Sequence, residues 1–378
     1  MLIDAARLGA PTPEVPLQRL WHDASRLTPS LGCAKCPDRW ICGRLSVAAP
    51  IFDCMHLCCS NPGDCDSVCR NKPEDFARRV REIGGFDLDS VPRAPKLVAP
   101  ELPDIIPTVF HGGKRESQFE GPGAVCIPLF KVIGVRGAEV KFHSDEDLRK
   151  KFKLSPDTTI ILTGTSTDAA LEKWWSLGDR RSATISALKK LRISLVTTPN
   201  YSLFADQPRW DDLHSMKRIA LVCQEFLNLG VPCALHVNAR TERDWERWAE
   251  FLAARTECTH IAFEFGTGAG WKGRIDWYAD QLTRLRTVIA RPIHLIVRGG
   301  ISILPRLANT FDGVTLLETS TFVKTVRRKA AFLDRSSRLR WRHAPTQPNE
   351  MLDTLFEHNW TVVSERLAKS RIVARKAA

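Results

Sequence analysis

From residue 105 onward, short apolar segments alternate with longer segments that have a helical hydrophobic period. Several of the short segments are β-branched or apolar almost throughout, as at 159–162 and 293–297, which is typical of parallel strands buried on both faces. The pattern predicts eight strands, at 105–110, 125–133, 158–163, 192–197, 233–237, 260–265, 293–297 and 314–317.

The amphipathic segments between these strands predict helices. Over 211–229, Leu213, Met216 and Ala220 lie on one stripe, and Gly230 stands where a left-handed residue would end the helix. Eight strands with interposed helices over roughly 220 residues match a (β/α)8 barrel, a TIM-barrel-like α/β fold. An open doubly wound sheet is the alternative, because no helical period connects the first two strands.

Composition predicts four consecutive parts of the chain. Residues 1–90 form a cysteine-rich metal-binding module, and 91–104 form a proline-rich linker. The barrel occupies 105–328, and a basic helical tail occupies 329–378. Each proline removes a backbone donor and restricts the preceding residue to extended conformations, which supports the interpretation of 91–104 as a linker.

Eight of the twelve cysteines fall in one short segment of the first part. They are Cys33, Cys36, Cys42, Cys54, Cys58, Cys59, Cys65 and Cys69. The opening residues lack the pattern of a secretory signal, so we expect a cytoplasmic protein, in which dense cysteines more often hold metal than form disulfides. The irregular spacing favours an iron–sulfur cluster over zinc, and a disulfide knot is the third alternative.

The chain carries 55 basic and 43 acidic side chains, a net charge of +12, which favours polyanionic partners. Within 324–343, eight residues are Lys or Arg and one is Asp. We predict nucleic-acid contacts there, from Arg327, Arg328, Arg338, Arg340 and Arg342. The alternative is a solvated helix face that covers the barrel. No segment approaches the about 18 apolar residues of a membrane span, so we expect no membrane partner.

In a barrel, the catalytic groups lie at the carboxyl ends of the strands. Glu264 and Glu318 end or follow two predicted strands and could serve as acid and base, or could bind a cation. For either residue alone, a salt bridge to Arg240 or Arg298 is the simpler interpretation. His236 lies within a predicted strand, where a packing role in the core is more common than ligand binding.

A second candidate group follows the strand predicted at 293–297. Arg298, Gly299 and Gly300 stand between this strand and the next helix, where glycine permits close approach and backbone amides can face an anion. They could bind the phosphate of a cofactor or substrate. The alternative is that the two glycines only form a tight turn.

The segment 193–270 contains the sequences TTPNYSLF and FEFGTGAGW. It resembles an uncharacterised family of proteins carried by phages and mobile elements, in which a P-[DN]-[FY]-S segment precedes a helix and a strand that ends in Asn. The resemblance brings no established reaction and does not extend to the cysteine module. It implies a set of site candidates, which are Asn200, Tyr201, Ser202, Asn238 and Glu264.

Together, these features predict an enzyme of a mobile element or host-conflict system that carries a metal cluster. Its substrate would be phosphorylated, a nucleotide or a nucleic acid, and the reaction would use acid/base chemistry at the barrel mouth. The alternative is a non-catalytic nucleic-acid-binding or regulatory protein, in which zinc is structural and the barrel is a scaffold.

Overall fold

The structure is a computed structural model that describes residues 79, 81–119, 121–134, 139–203, 209–266, 268–270, 274–347 and 349–377. The chain divides into two compact units, each made of several segments. The first unit comprises Met1–Pro92, Tyr201–Leu221 and Asn238–Phe251. The second, called the barrel unit, comprises Arg93–Asn200, Val222–Val237 and Leu252–Ala378.

A strand is present in the barrel unit at each of the eight predicted places, although the one predicted at 125–133 ends at Pro128 because 129–132 forms a short helix. They are β1 (Ile105–Pro107), β2 (Ala124–Pro128), β3 (Thr159–Thr163), β4 (Leu195–Thr197), β5 (Cys233–His236), β6 (His260–Glu264), β7 (His294–Arg298) and β8 (Gly313–Glu318). All pair in parallel, in the order β1-β8-β7-β6-β5-β4-β3-β2. The amide of Val109 donates to the carbonyl oxygen of Cys126 at 2.8 Å, so the chain just after β1 also contacts β2.

This sheet is a nearly closed parallel barrel with flanking helices, which confirms the barrel-like α/β architecture. The strands follow one another in chain order, and the first pairs with the last. An open doubly wound sheet, the alternative considered from the sequence, would instead reverse its strand order at a switch point. In the described part of 108–123 no helix connects β1 to β2, as the missing helical period indicates.

Helices follow most of the strands. They are α1 (Leu129–Val132), α2 (Asp145–Phe152), α3 (Asp168–Trp175), α4 (Arg181–Lys190), α5 (Arg209–Asn228), α6 (Glu242–Ala254), α7 (Ile275–Ile289), α8 (Leu304–Thr310), α9 (Ser320–Val326) and α10 (Asp353–Ala377). Gly230 has φ 77° and ends α5 as predicted, while the amide of Val231 donates to the carbonyl oxygen of Phe226 at 2.9 Å. No helix among the described residues is long and apolar enough to cross a membrane.

Side chains from all eight strands form the core inside the barrel. They belong to Ile106, Ala124, Cys126, Ile161, Leu195, Ala234, Ala262, Ile296 and Leu317. Successive side chains of a strand point to opposite faces, so residues two positions further along the same strand also face the interior. This alternation determines which polar residues at the carboxyl ends of the strands reach the barrel mouth.

The proline-rich segment predicted as a linker packs against the barrel unit. Leu102 contacts the interior core, and the carbonyl oxygen of Pro103 accepts a hydrogen bond from the Thr315 hydroxyl at 2.9 Å. Nearer its start, Arg93 donates to a carboxylate oxygen of Glu257 at 2.8 Å. The part of this segment that lies in the barrel unit is therefore attached to the barrel along its length.

The basic tail differs from the predicted helix in its first half. Lys329–Leu333 is β9 and Leu339–His343 is β10, and the two form an antiparallel hairpin before α10. A carboxylate oxygen of Asp334 accepts hydrogen bonds from the amides of Ser336 and Arg338, both at 2.9 Å, which stabilises the turn. Helical structure is confined to the second half, in α10.

Candidate functional site

Glu264 and Arg298 lie at the carboxyl ends of adjacent strands and face the barrel interior. Each stands two residues after a core residue of its own strand, Ala262 on β6 and Ile296 on β7, and the two are register partners. Nε of Arg298 donates to Oε2 of Glu264 at 2.5 Å. The salt bridge considered from the sequence is therefore present, and it lies inside the barrel.

Burial controls the state of the Glu264 carboxyl group. Glu264 is 7% exposed, and its other oxygen, Oε1, accepts a hydrogen bond from the amide of Gly266 at 2.5 Å. Desolvation raises the pKa of Glu264 above its ordinary value, although Arg298 and the Gly266 amide oppose the rise. The carboxyl group is thus placed to exchange a proton nearer to neutral pH than an exposed glutamate does.

Arg298 still has donors available for a ligand. Of its three guanidinium nitrogens, only Nε donates to a described residue, so Nη1 and Nη2 have no partner among the described residues. Its charge acts across the barrel. It adds to the lowering of the pKa of His236 on β5 that burial causes, and it opposes the rise that burial causes in the pKa of Cys126 on β2. A guanidinium group with two available nitrogens can bind a carboxylate or a phosphate in a bidentate manner.

Glu318 points away from the interior. It follows the core residue Leu317 directly, so it lies on the opposite face of β8. Oε1 of Glu318 accepts from the amide of Ser320 at 2.5 Å, and Oε2 accepts from the amide of Thr321 at 3.0 Å. These contacts stabilise the start of α9, and the structure does not bring Glu318 together with Glu264 in the interior.

Gly299 and Gly300 form a left-handed turn directly after β7, with φ values of 79° and 69°. A Cβ atom on Gly299 would lie 2.9 Å from the amide nitrogen of Gly266, and one on Gly300 would lie 2.8 Å from the ring of Phe265. Close packing of two loops at the barrel mouth therefore requires glycine at both positions. Phosphate binding by this turn stays a prediction.

The residues implied by the family resemblance fall into different parts of the structure. Asn200 belongs to the barrel unit, and its buried Oδ1 has no hydrogen-bond partner within the described residues. Tyr201 and Asn238 belong to the first unit, where Nδ2 of Asn238 donates to the carbonyl oxygen of Tyr201 at 2.8 Å. The half-buried Ser202 follows Tyr201 in the chain. Within that unit, Asn238 and Tyr201 hold two chain segments together.

His236 also lies at the barrel mouth, although the sequence pattern predicts only a packing role in the core for this residue. It is 4% exposed and stands two positions after the core residue Ala234, so its ring faces the interior. Its Nδ1 lies 2.5 Å from the carbonyl oxygen of Thr198. The signal that could have found it is its place at the carboxyl end of β5, in the same alternation as Glu264 on β6.

The predicted nucleic-acid residues lie at the end of α9 and on the hairpin. Arg340 and Arg342 are exposed on the same face of β10, and Arg340 pairs with Asp334 at 3.0 Å. The guanidinium group of Arg342 lies 5.8 Å from the ring centroid of Phe332 on β9. Arg327 follows α9, Arg338 precedes β10, and Arg328 donates to the Thr346 hydroxyl at 2.6 Å.

The predicted metal ligands at 33–69 lie outside the described residues. Within the residues that the structure does describe, no group of three or more His, Cys, Asp and Glu side chains could hold a metal ion. No family model matches the chain, and no curated protein matches it at a significant level. The family resemblance and the metal site both stay predictions.

Proposed function

We propose that the barrel mouth is a catalytic site for a phosphorylated, nucleotide or nucleic-acid substrate, in which Arg298 binds the anion and Glu264 transfers a proton. The observation that carries this proposal is the buried ion pair in the barrel interior, in which both Nη atoms of Arg298 have no partner among the described residues. Because the Arg298 side chain is 27% exposed while its Nε is held by the Glu264 carboxylate, these two donors are open to a ligand at the mouth.

Anion binding and proton transfer would be coupled in such a site. Arg298 lowers the pKa of Glu264 against the effect of burial. When a substrate anion neutralises part of the guanidinium charge, this stabilisation of the carboxylate weakens, and the pKa of Glu264 rises further. Binding would therefore promote the protonated form of Glu264, which is the form that acts as a general acid.

The cysteine module would accompany this site in an enzyme of a mobile element or host-conflict system. Its eight cysteines could supply the four thiolates of an iron–sulfur cluster, once or twice, and zinc is the alternative. Most of the module's folding free energy would then come from the metal, because the segment contains few apolar residues.

A second candidate function is nucleic-acid binding without catalysis, through the basic segment around the hairpin. The observation that favours it is that the guanidinium groups of Arg327, Arg338 and Arg342 make no salt bridge in the part of the chain that the structure describes. Unpaired arginines at this density suit contacts with phosphates, which would make binding strongly dependent on salt. This function does not require Glu264.

The two functions make opposite predictions for a charge-removing substitution at Glu264. Wild type, E264Q and the exposed control E365Q would be incubated with nucleoside monophosphates and short single-stranded oligonucleotides, and the products would be identified by mass spectrometry. For catalysis, E264Q should lower turnover by about 10²–10⁴-fold while binding persists. Turnover by E264Q at the wild-type rate would overturn the proposal.

The matching test of the second function uses the hairpin. Removing Arg338 and Arg342 together should weaken oligonucleotide binding and reduce its salt dependence, with E264Q binding as wild type does. If the oligonucleotide affinity of the double arginine variant equals that of wild type at every salt concentration, the hairpin is not a nucleic-acid surface.

A further inference from the structure

We infer that His236 is a specificity-determining residue of the barrel mouth, and that its Nε2 accepts a hydrogen bond from an N–H or O–H group of the anionic substrate bound by Arg298. This inference rests on the proposed function of the same site. It adds a requirement to the substrate, which must carry a hydrogen-bond donor as well as a negative charge.

The position of His236 follows from the strand register. Ala234, which stands two positions before His236 on β5, belongs to the interior core. His236 itself pairs with Ala262, which is the core residue of β6. Glu264 stands two residues further along β6 and pairs with Arg298. The imidazole ring therefore faces the interior close to the layer that contains the ion pair.

The hydrogen bonds of the ring determine which nitrogen carries the proton. Nδ1 lies 2.5 Å from the carbonyl oxygen of Thr198, and a carbonyl oxygen can only accept. Nδ1 must therefore be the protonated nitrogen, which leaves a lone pair on Nε2 when the ring is neutral. The backbone amide of His236 also donates to the Thr198 hydroxyl at 2.9 Å, so Thr198 fixes both the ring and its strand.

The ring is neutral at physiological pH. Burial lowers the pKa of His236 to about 4, and the charge of Arg298 acts in the same direction. A neutral imidazole with Nδ1 protonated presents an acceptor, and not a charge, to the interior. Because Arg298 stands nearby as a donor, the two residues offer complementary groups to one ligand.

Nε2 of His236 makes no hydrogen bond to any described residue. An acceptor that no described residue pairs with, on a side chain that is only 4% exposed, is placed to accept a hydrogen bond from a ligand. An acceptor at this position would also reject a substrate that presents another acceptor to it. The chemical class that fits is a phosphorylated compound with a ring N–H or a hydroxyl group next to its anionic group.

The tautomer can be tested in the protein without any ligand. Protein labelled with ¹⁵N-histidine would be studied by long-range ¹H–¹⁵N correlation at pH 7, with H236Q used to assign the signal. We expect a proton on Nδ1 and none on Nε2. A ring protonated at Nε2, or at both nitrogens, would overturn the inference.

The role in recognition needs probes with and without a donor. Sulfate has no proton at pH 7, whereas a nucleoside 5′-monophosphate carries hydroxyl and base N–H groups. H236M, which has no ring acceptor, should bind the nucleotide about tenfold or more weakly than wild type and bind sulfate equally well. R298M should weaken the binding of both probes, and H236Q should partly restore nucleotide binding. Circular dichroism would confirm that each variant is folded.

The outcomes separate this inference from the proposed function. If H236M binds the nucleotide as wild type does while R298M loses both probes, His236 has no role in recognition and the anion site stands. If R298M binds both probes as wild type does, or if wild type binds neither probe, the proposed function fails together with the inference.

Discussion

Replacing Arg298 with Met tests the electrostatic basis of the candidate site. The substitution leaves the Glu264 carboxylate in the barrel interior without its cation, although the Gly266 amide still donates to Oε1. Removing one partner of a buried ion pair costs about 3–5 kcal/mol. Because the Arg298 side chain is 27% exposed, solvent screens part of the interaction, and we expect a loss of about 3 kcal/mol at pH 8.

The loss should depend on pH, with a sign set by the pKa of Glu264. Burial already raises this pKa in the native state, and removing Arg298 raises it further. A carboxyl group whose native pKa exceeds its unfolded value binds protons more tightly in the native state. The ionised carboxylate therefore does not destabilise the native state below the pKa of the unfolded chain. As pH rises through the native pKa, the destabilisation grows to about 1.4 kcal/mol for each unit by which the two pKa values differ.

The measurement is urea unfolding at pH 5 and pH 8, read from the hydrogen exchange of peptides that contain β6 and β7. R298M should be destabilised more at pH 8 than at pH 5, and E264Q/R298M should recover part of the stability at pH 8 because no buried charge remains. R335M, which removes an exposed arginine, serves as the control. An equal loss for R298M at both pH values, or no recovery in the double variant, would refute the reasoning.

Three further predictions concern other parts of the chain. Burial and His294 lower the pKa of His260 to about 4, so stability should fall by about 1–3 kcal/mol as pH decreases from 6.5 toward 4, and thermal unfolding of H260Q should show a smaller fall. Asn359 is fully buried and bonds to the Thr325 hydroxyl and to the backbone of β9, so N359L should lower the free energy of unfolding by about 3 kcal/mol in urea titrations. Anaerobic purification should give brown protein with about four or eight iron atoms per chain, bound by cysteines of 33–69, whereas colourless protein that contains zinc would contradict the iron–sulfur prediction.

The strands of the barrel could be predicted because burial on both faces leaves a plain signal. The run at 159–162 is apolar or β-branched throughout, the run at 293–297 is so except for His294, and both coincide with strands of the barrel. The hairpin of β9 and β10 lacks this signal, because its second strand alternates apolar residues with arginines, which is the pattern of a strand buried on one face only. Its β9 backbone is held by Asn359 of α10, a contact between residues about 30 positions apart that local pattern does not reveal.

The sequence predicts where the candidate site lies in the fold, but it does not predict which residues belong to the site. The sequence places Glu264, Glu318 and Arg298 at the carboxyl ends of strands, and the structure does the same. Which of them share one face depends on the register between strands. That register is fixed by long-range packing of the interior core, and a shift of one residue would exchange the faces.

The alternation along the strands also explains why His236 belongs with Glu264 and Arg298 although Glu318 does not. The first three each stand two positions after a core residue of their own strand, and Glu318 stands one position after Leu317. An odd offset turns a carboxylate outward, where it accepts from the backbone of α9, and an even offset brings it into the barrel. Because an acid, a neutral acceptor and a cation share the even offset on three consecutive strands, the fold itself brings a proton donor, a hydrogen-bond acceptor and an anion-binding group to one mouth.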